Sequence, residues 1–199
     1  MKGEYYLTNH CGFVNAVRRT IIADLPRWAP DSVEFIKNTS CQTDEYIAHR
    51  IGLIPFKKCG NGSEMCVSVK GRTVMASDFK GSGFEPVYEI EVMEIEDDQE
   101  LEFKVFYKCK PGSVHARYKM CAGVGMQELK NNMYKLSFET IDAKKPDDVM
   151  LEALDVLENK IDNALESLSS YIKLLKNTRY GARTHGHRIK SPAHTKSRV

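Results

Sequence analysis

Apolar residues recur along this chain with two different periods, and the period changes twice. Gly3–Asn9 (GEYYLTN) is short and aromatic, which predicts a strand, with Asn9 as the N-cap of the next element. From Cys11 to Asp24, Phe13, Val14, Val17 and Ile21 recur at helical spacing, while Asn15, Arg18 and Arg19 fall toward other faces. Pro26 is expected to end that helix. DSVEFIKN sets Val33 and Phe35 against Ser32, Glu34 and Lys37, the alternation of a half-buried strand. Thr43 then predicts a second N-cap. Asp44 and Glu45 occupy the first turn, where carboxylates suit the positive end of the helix dipole. This helix is expected to run to Arg50, with Gly52 ending it.

The middle of the chain reads differently. KKCGNGSEM and SDFKGSGF are turn-rich loops, and CVSVKG and TVMAS are short alternating strands. Val87–Ile95 and Leu101–Tyr107 predict two more strands, joined by an acidic turn over Glu96–Glu100. Helix returns at the end. MYKLSFETI alternates with Tyr134, Leu136 and Phe138 on one face, and Pro146 suits the first position of a helix, with Asp147 and Asp148 behind it. Met150, Leu154, Leu157, Ile161, Ala164, Leu168, Ile172 and Leu175 follow at steps of three and four. Such a stripe is an ordinary core face or a seam for a helix of another chain.

Charge changes the picture only at the C-terminus. The 199 residues carry a net +2, but residues 177–199 hold six Lys or Arg and no acid, so residues 1–176 carry 23 basic against 27 acidic side chains, a net of −4. The segment is poor in aliphatics and is expected to be a disordered tail. It suits nucleic acid, an acidic partner or plain solubility about equally. No apolar run approaches the ~20 residues of a membrane span, and MKGEYYLTNH lacks an apolar signal core, so an intracellular protein is expected. Cys11, Cys41, Cys59, Cys66, Cys109 and Cys121 are scattered without a CxxC pair and read as reduced thiols. There is no GxxxxGK[ST] loop, since CGNGSEMC lacks both the Lys and the strand–helix setting, and no local Cys–His nucleophile motif. A stand-alone enzyme is therefore not expected.

The stretch NAVRRTIIADLPRWAPDSVEFIKNTSCQTDEYIAHRIGLIPFK resembles the signature of the alpha-like subunits of DNA-directed RNA polymerase: bacterial alpha, archaeal D and the third-largest subunit of eukaryotic RNA polymerase II. The likeness continues through PVYEIEVMEIEDDQELEFKVFYKCKPGSVHARYKM, with its His115–Ala116 pair, and LSFETIDAKKPDDVMLEALDVLENKIDNAL, covering nearly all of 1–176 in order. The resemblance implies an α+β fold. Residues 1–38 and 128–176 would form a discontinuous dimerisation domain, 39–127 a β-rich insert domain, and 177–199 the tail.

The function so implied is non-catalytic assembly. The chain would pair with a small alpha-like subunit through Leu154, Leu157, Ile161 and Leu168 of the long helix. It would dock the second-largest catalytic subunit through Asn15, Arg18, Arg19, Asn38, Thr39, Asp44, His49 and Arg50. Asp44 reads equally as a helix-start residue and Asn38 as a turn cap. DNA would be met only through the complex, and no membrane is involved. Three departures stand out. The opening strand is short. The loop after IGLIP offers only Cys59 and Cys66, where some relatives carry four cysteines for zinc or an iron–sulfur cluster, so no metal or other cofactor is expected. A mixed set with Cys109, His115 and Cys121 is conceivable from residue type. The chain is also shorter than most cellular relatives, which fits a viral or genome-reduced polymerase, with nucleus, cytoplasm or viral factory as its place. The rival reading is a free-standing nucleic-acid-binding protein acting through the basic tail.

Overall fold

Two alternating stretches, one near each end of the compact part of the chain, each organise an antiparallel sheet. The computed structural model describes residues 1–8, 10–142 and 144–184, with side chains through 176. Over these the order is β1 (Lys2–Thr8), α1 (Cys11–Ala23), β2 (Pro26–Asn38), α2 (Asp44–Leu53), β3 (Phe56–Lys58), β4 (Glu64–Lys70) and β5 (Val74–Met75). There follow β6 (Phe84–Pro86), β7 (Glu91–Met93), β8 (Glu100–Pro111), β9 (Cys121–Glu128), β10 (Met133–Thr140) and α3 (Pro146–Thr184), with 3₁₀ turns at Ala76–Asp78 and Ala116–Tyr118. The fold is α+β.

The first sheet runs β1-β10-β9, all antiparallel, with Tyr5 opposite Leu136 and Leu136 opposite Met126. The period-2 pattern of β10 buries Tyr134, Leu136 and Phe138, as the alternation predicts. Val17 and Ile21 of α1, Leu136 and Phe138 of β10, and Val149, Met150 and Ala153 of the first turns of α3 share one apolar core. The start of α3 lies close on β1. A Cβ on Gly3 would stand 2.7 Å from the Pro146 Cβ, and the Tyr5 hydroxyl donates to Asp147 at 2.7 Å.

The second sheet runs β2-β8-β4. Its core is aromatic: Tyr107 stacks on Phe84 with centroids 4.1 Å apart and meets the edge of Phe56 at 5.2 Å. Ile47 and Ile51 of α2 close it on one side. Each such burial contributes roughly 1.5–3 kcal/mol.

Several elements differ from the sequence expectation, each for a local reason. The helix start falls to His10, whose Nδ1 accepts from the Gly12 N–H at 3.1 Å; Asn9 lies outside the described residues. The buried stripe of α1 is Val14, Val17, Thr20 and Ile21, and Phe13 is exposed at its edge. Pro26 does not stop the helix, which closes at Ala23; it opens β2 instead. Pro26 and Pro30 are tolerated because β2 is an edge strand with a register shift between Pro30 and Ser32. Gly52 sits inside α2, which continues to Leu53. Of the strand expected over Val87–Ile95, only Glu91–Met93 is one. β9 was not expected: Gly123 and Gly125 dilute its pattern, and pairing with β10 imposes the strand nonetheless.

The expected boundaries at 38/39 and 127/128 cut across these sheets. β2 pairs along its length with β8, and β9 pairs with β10. Contacts within the chain group it as Met1–Leu157 and Glu158–Val199. α3 continues to Thr184, eight residues into the segment expected to be a disordered tail; residues 185–199 lie outside the described residues.

Candidate assembly interface

Helix α1 presents Asn15 and Arg18 half-buried and Arg19 exposed, away from the stripe that packs on the first sheet. The Asn15 Oδ1 accepts from Arg18 Nε at 3.1 Å and Nη2 at 2.9 Å. The pair fixes the guanidinium, and its Nη1 has no acceptor among the described residues. Arg19 has no carboxylate within ion-pair distance among the described residues, so its charge is also available.

The second group spans the β2–α2 connection. Asn38 organises the turn. Its Oδ1 accepts from the Ser40 N–H at 3.0 Å and hydroxyl at 2.7 Å, and its Nδ2 donates to the Gln42 carbonyl and to Asp44. Thr43 caps α2 through its side chain, which accepts from Tyr46 N–H. Thr39 ties the end of β2 to the start of β8: its hydroxyl accepts from Glu100 N–H at 2.7 Å. Asn38, Thr39 and Asp44 thus have internal partners that account for their residue types. Glu100 is clamped by Lys37 and Lys70, which hold its pKa down at about 2.

On α2, His49 is exposed, and Arg50 donates to the Glu91 carbonyl at 3.1 Å and to the Tyr46 hydroxyl at 3.4 Å, joining the helix to β7. His49 and Arg50 line a shallow depression with Tyr46, Leu53 and Ile90. Tyr46 and Leu53, 45% and 68% exposed, were not singled out from the sequence, nor was Ile36. Leu53 follows the expected end of the helix. Ile36 faces outward because it alternates with the inward Val33 and Phe35, and the register slip between Phe35 and Lys37 brings Lys37 out beside it. α1 packs on β9 and β10, and α2 on β2 and β7, so the two groups are carried by different cores.

On α3, Leu157 is half-buried against the first core and Leu154 is 36% exposed. In the second unit, Ile161, Leu165, Leu168 and Ile172 are each at least half exposed, a continuous apolar face at helical spacing.

The profile of the RNA polymerase Rpb3/Rpb11 dimerisation domain matches residues 10–161, three quarters of the chain, from α1 to the first turns of α3. The chain belongs to the RNA polymerase Rpb3/Rpb11 dimerisation-domain family. It is an alpha-like RNA polymerase subunit, and its work is polymerase assembly in transcription. Among its relatives, the DNA-directed RNA polymerase subunit Rpo3 of Methanocaldococcus jannaschii is 28% identical over 162 residues, covering 78% of this chain and 84% of the relative. Rpo3 of Natronomonas pharaonis is 31% identical over 127 residues, 59% and 51% of the two chains. Rpo3 of Pyrococcus furiosus is 32% identical over 126 residues, 55% and 48%. The aligned part thus spans most of the first relative and about half of the other two.

Other sequence candidates stay apart. Among the described residues, no three His, Cys, Asp or Glu side chains gather as metal ligands, so Cys59, Cys66, Cys109, His115 and Cys121 do not converge. His115 instead caps the 3₁₀ turn, its Nδ1 accepting from Arg117 N–H. Cys121 is buried, which pushes its thiol up to about 12. No described helix is long and apolar enough to cross a membrane. Sequence reasoning also missed Asp31, which accepts from Lys108 at 2.6 Å, Lys110 at 2.7 Å and the Tyr118 hydroxyl. These partners hold its carboxyl well below the usual range. In the sequence it only opens the alternating stretch DSVEFIKN directly after Pro30, a place that marks no partner.

Proposed function

We propose that this family member is a non-catalytic subunit that pairs with a small alpha-like subunit through α3 and then docks the second-largest catalytic subunit. Docking uses the Arg18–Arg19 flank of α1 together with the 38–50 segment. The observation that carries the pairing half is the exposed apolar face Ile161, Leu165, Leu168 and Ile172, which the chain's own cores do not use. Burial of such a face against a second helix supplies roughly 25 cal/mol per Å² of apolar area, and coiled-coil-like packing gives it register.

The docking half is supported by two arginines on one flank. Arginine's planar, multi-donor head suits protein interfaces. Asn38, Thr39 and Asp44 shape the loop that presents His49, Arg50, Tyr46 and Leu53. The discontinuous division into a pairing domain and a β-rich insert is retained in this reading, with β9 on the pairing side and β2 bridging the two. DNA is met through the assembled enzyme, and the setting is intracellular, in nucleus or cytoplasm. The described residues hold nothing that favours free-standing nucleic-acid binding. Affinity purification of the tagged chain from its source tests the proposal: two very large subunits and one small one should co-purify, whereas recovery of nucleic acid alone would contradict it.

A further inference from the structure

A cleft of about 330 Å³ opens where β2, β3 and the segment before α3 meet. That size lies at the low end of small-ligand sites, about 300–1,000 Å³, and it admits a side chain or two. Its lining is positive: Arg27, Lys57, Lys58 and Lys144 against one acid, Asp142, with Trp28 as an aromatic wall.

Arg27 is the unusual member. It is 7% exposed. Its Nη1 donates to the carbonyls of Lys119 at 3.0 Å and Arg117 at 3.4 Å, which pins the guanidinium to the 3₁₀ turn and its exit. Its Nε is buried without an acceptor. Nη2, which unlike Nε is not closed off from solvent, has no hydrogen-bond partner among the described residues either, and it is the guanidinium nitrogen left for a carboxylate. Asp142 does not fill the role: burial holds the Arg27 pKa below the ordinary arginine value, Asp142 opposes this only through space, and its Oδ1 accepts from the Lys144 N–H at 3.3 Å.

The lysines add to the imbalance. Lys144 is paired with Glu152. Lys57 and Lys58 have no carboxylate within ion-pair distance among the described residues, and the Lys58 Nζ sits 3.6 Å from the Trp28 ring centroid. An under-neutralised, largely desolvated guanidinium is costly to keep and gains most from an incoming anion. This chain's own C-terminal segment has the wrong sign, since residues 177–199 contain no acid.

We propose that this cleft is a docking site for an acidic peptide segment of another protein, with an Asp or Glu carboxylate taken by Arg27 and Lys58 and a neighbouring apolar side chain laid against the wall that Trp28 forms. A carboxylate fits better than a phosphate. The lining offers one guanidinium and two flexible ammonium groups, with no glycine-rich loop and no helix N-terminus to cradle three oxygens.

Trp28 is the chain's sole tryptophan, so its emission reports the site directly. The experiment titrates the full chain with a capped decapeptide of alternating Glu and Leu. Controls are its Glu→Gln counterpart, inorganic phosphate and a single-stranded oligonucleotide. The Glu peptide should give a saturable change, at least tenfold tighter than the Gln peptide, phosphate or the oligonucleotide. The Lys57→Ala/Lys58→Ala double variant, which alters exposed side chains only, should melt like the parent and bind the Glu peptide at least tenfold more weakly. Arg27→Lys keeps the charge without the guanidinium and should weaken binding further, with circular dichroism checking that it folds. Absence of saturation, equal binding of the Gln peptide, tighter binding of phosphate or the oligonucleotide, or unchanged affinity of the folded double variant would each overturn the proposal.

Discussion

Asn15 holds Arg18: its Oδ1 accepts from both Nε and Nη2 of the arginine three residues on. The brace lies on the flank of α1 that the Val14, Val17 and Ile21 stripe leaves uncovered. It removes side-chain freedom before any partner arrives, which reduces the ordering cost of association, roughly 0.5–1.5 kcal/mol for a long side chain.

The double variant Arg18→Glu/Arg19→Glu should therefore fold and pair normally, because the half-buried Arg18 and the exposed Arg19 both lie off the buried stripe of α1, and charges at a protein's surface contribute little, about 0–1 kcal/mol. Incorporation into the larger complex should fail, since reversed charges repel and leave partner carboxylates unpaired. Asn15→Ala should give a milder loss of the same step. Size-exclusion of the reconstituted complex reads both, and loss of pairing in either variant would reassign these residues to the fold.

The Asp31 cluster makes a stability prediction. Asp31→Asn removes the charge that Lys108, Lys110 and Tyr118 address and should lower unfolding free energy by about 1–3 kcal/mol. The sign with pH follows from the depressed carboxyl. The contribution is complete above the free aspartate value of about 3.9 and fades as pH falls through the folded-state value. Denaturant melts of parent and variant should converge in acid, and a constant gap would contradict the assignment.

Thiol reactivity should separate the cysteines. Cys11, Cys41, Cys59, Cys66 and Cys109 are exposed, while Cys121 is buried with its pKa pushed up to about 12. Alkylation of the native protein should mark Cys121 only after unfolding, as read by peptide mass spectrometry. Rapid labelling of Cys121 would mean that β9 opens from the first core.

Long, clean periods were legible in the sequence. The β10 alternation places its residues as found, and the helical returns mark α1 and α3 as helices, though Phe13 lies exposed at the edge of the α1 stripe and the α3 stripe is exposed from Ile161 on. β9 was not legible, since its glycines carry no pattern and only pairing with β10 makes it a strand. The exposure of Lys37, which shares the parity of Val33 and Phe35, depends on a register slip that the alternation does not encode. Among the candidate residues, Arg18 and Arg19 could be placed on the flank of a helix. Asn38 and Thr39 resolve into turn and strand-end hydrogen bonds only once β8 is beside β2. Arg27 lay in the proline-flanked stretch between the expected helix and the expected strand, so the five N-terminal residues of β2 were hidden, and Asp31 opened the expected strand with nothing in the sequence to mark its partners on β8 and the second 3₁₀ turn.

Pairing through α3 is the centre of the account, and one comparison tests it most directly. Ile161→Asp and Leu168→Asp alter exposed positions, 50% and 57%, outside both apolar cores, so each variant should keep the parent's own melting temperature. A carboxylate buried unpaired in an apolar helix seam costs several kcal/mol. Co-expression with a small alpha-like subunit, followed by affinity capture and size-exclusion, should yield a one-to-one heterodimer for the parent and none for either variant. Recovery of the heterodimer in normal yield from both variants would contradict the account.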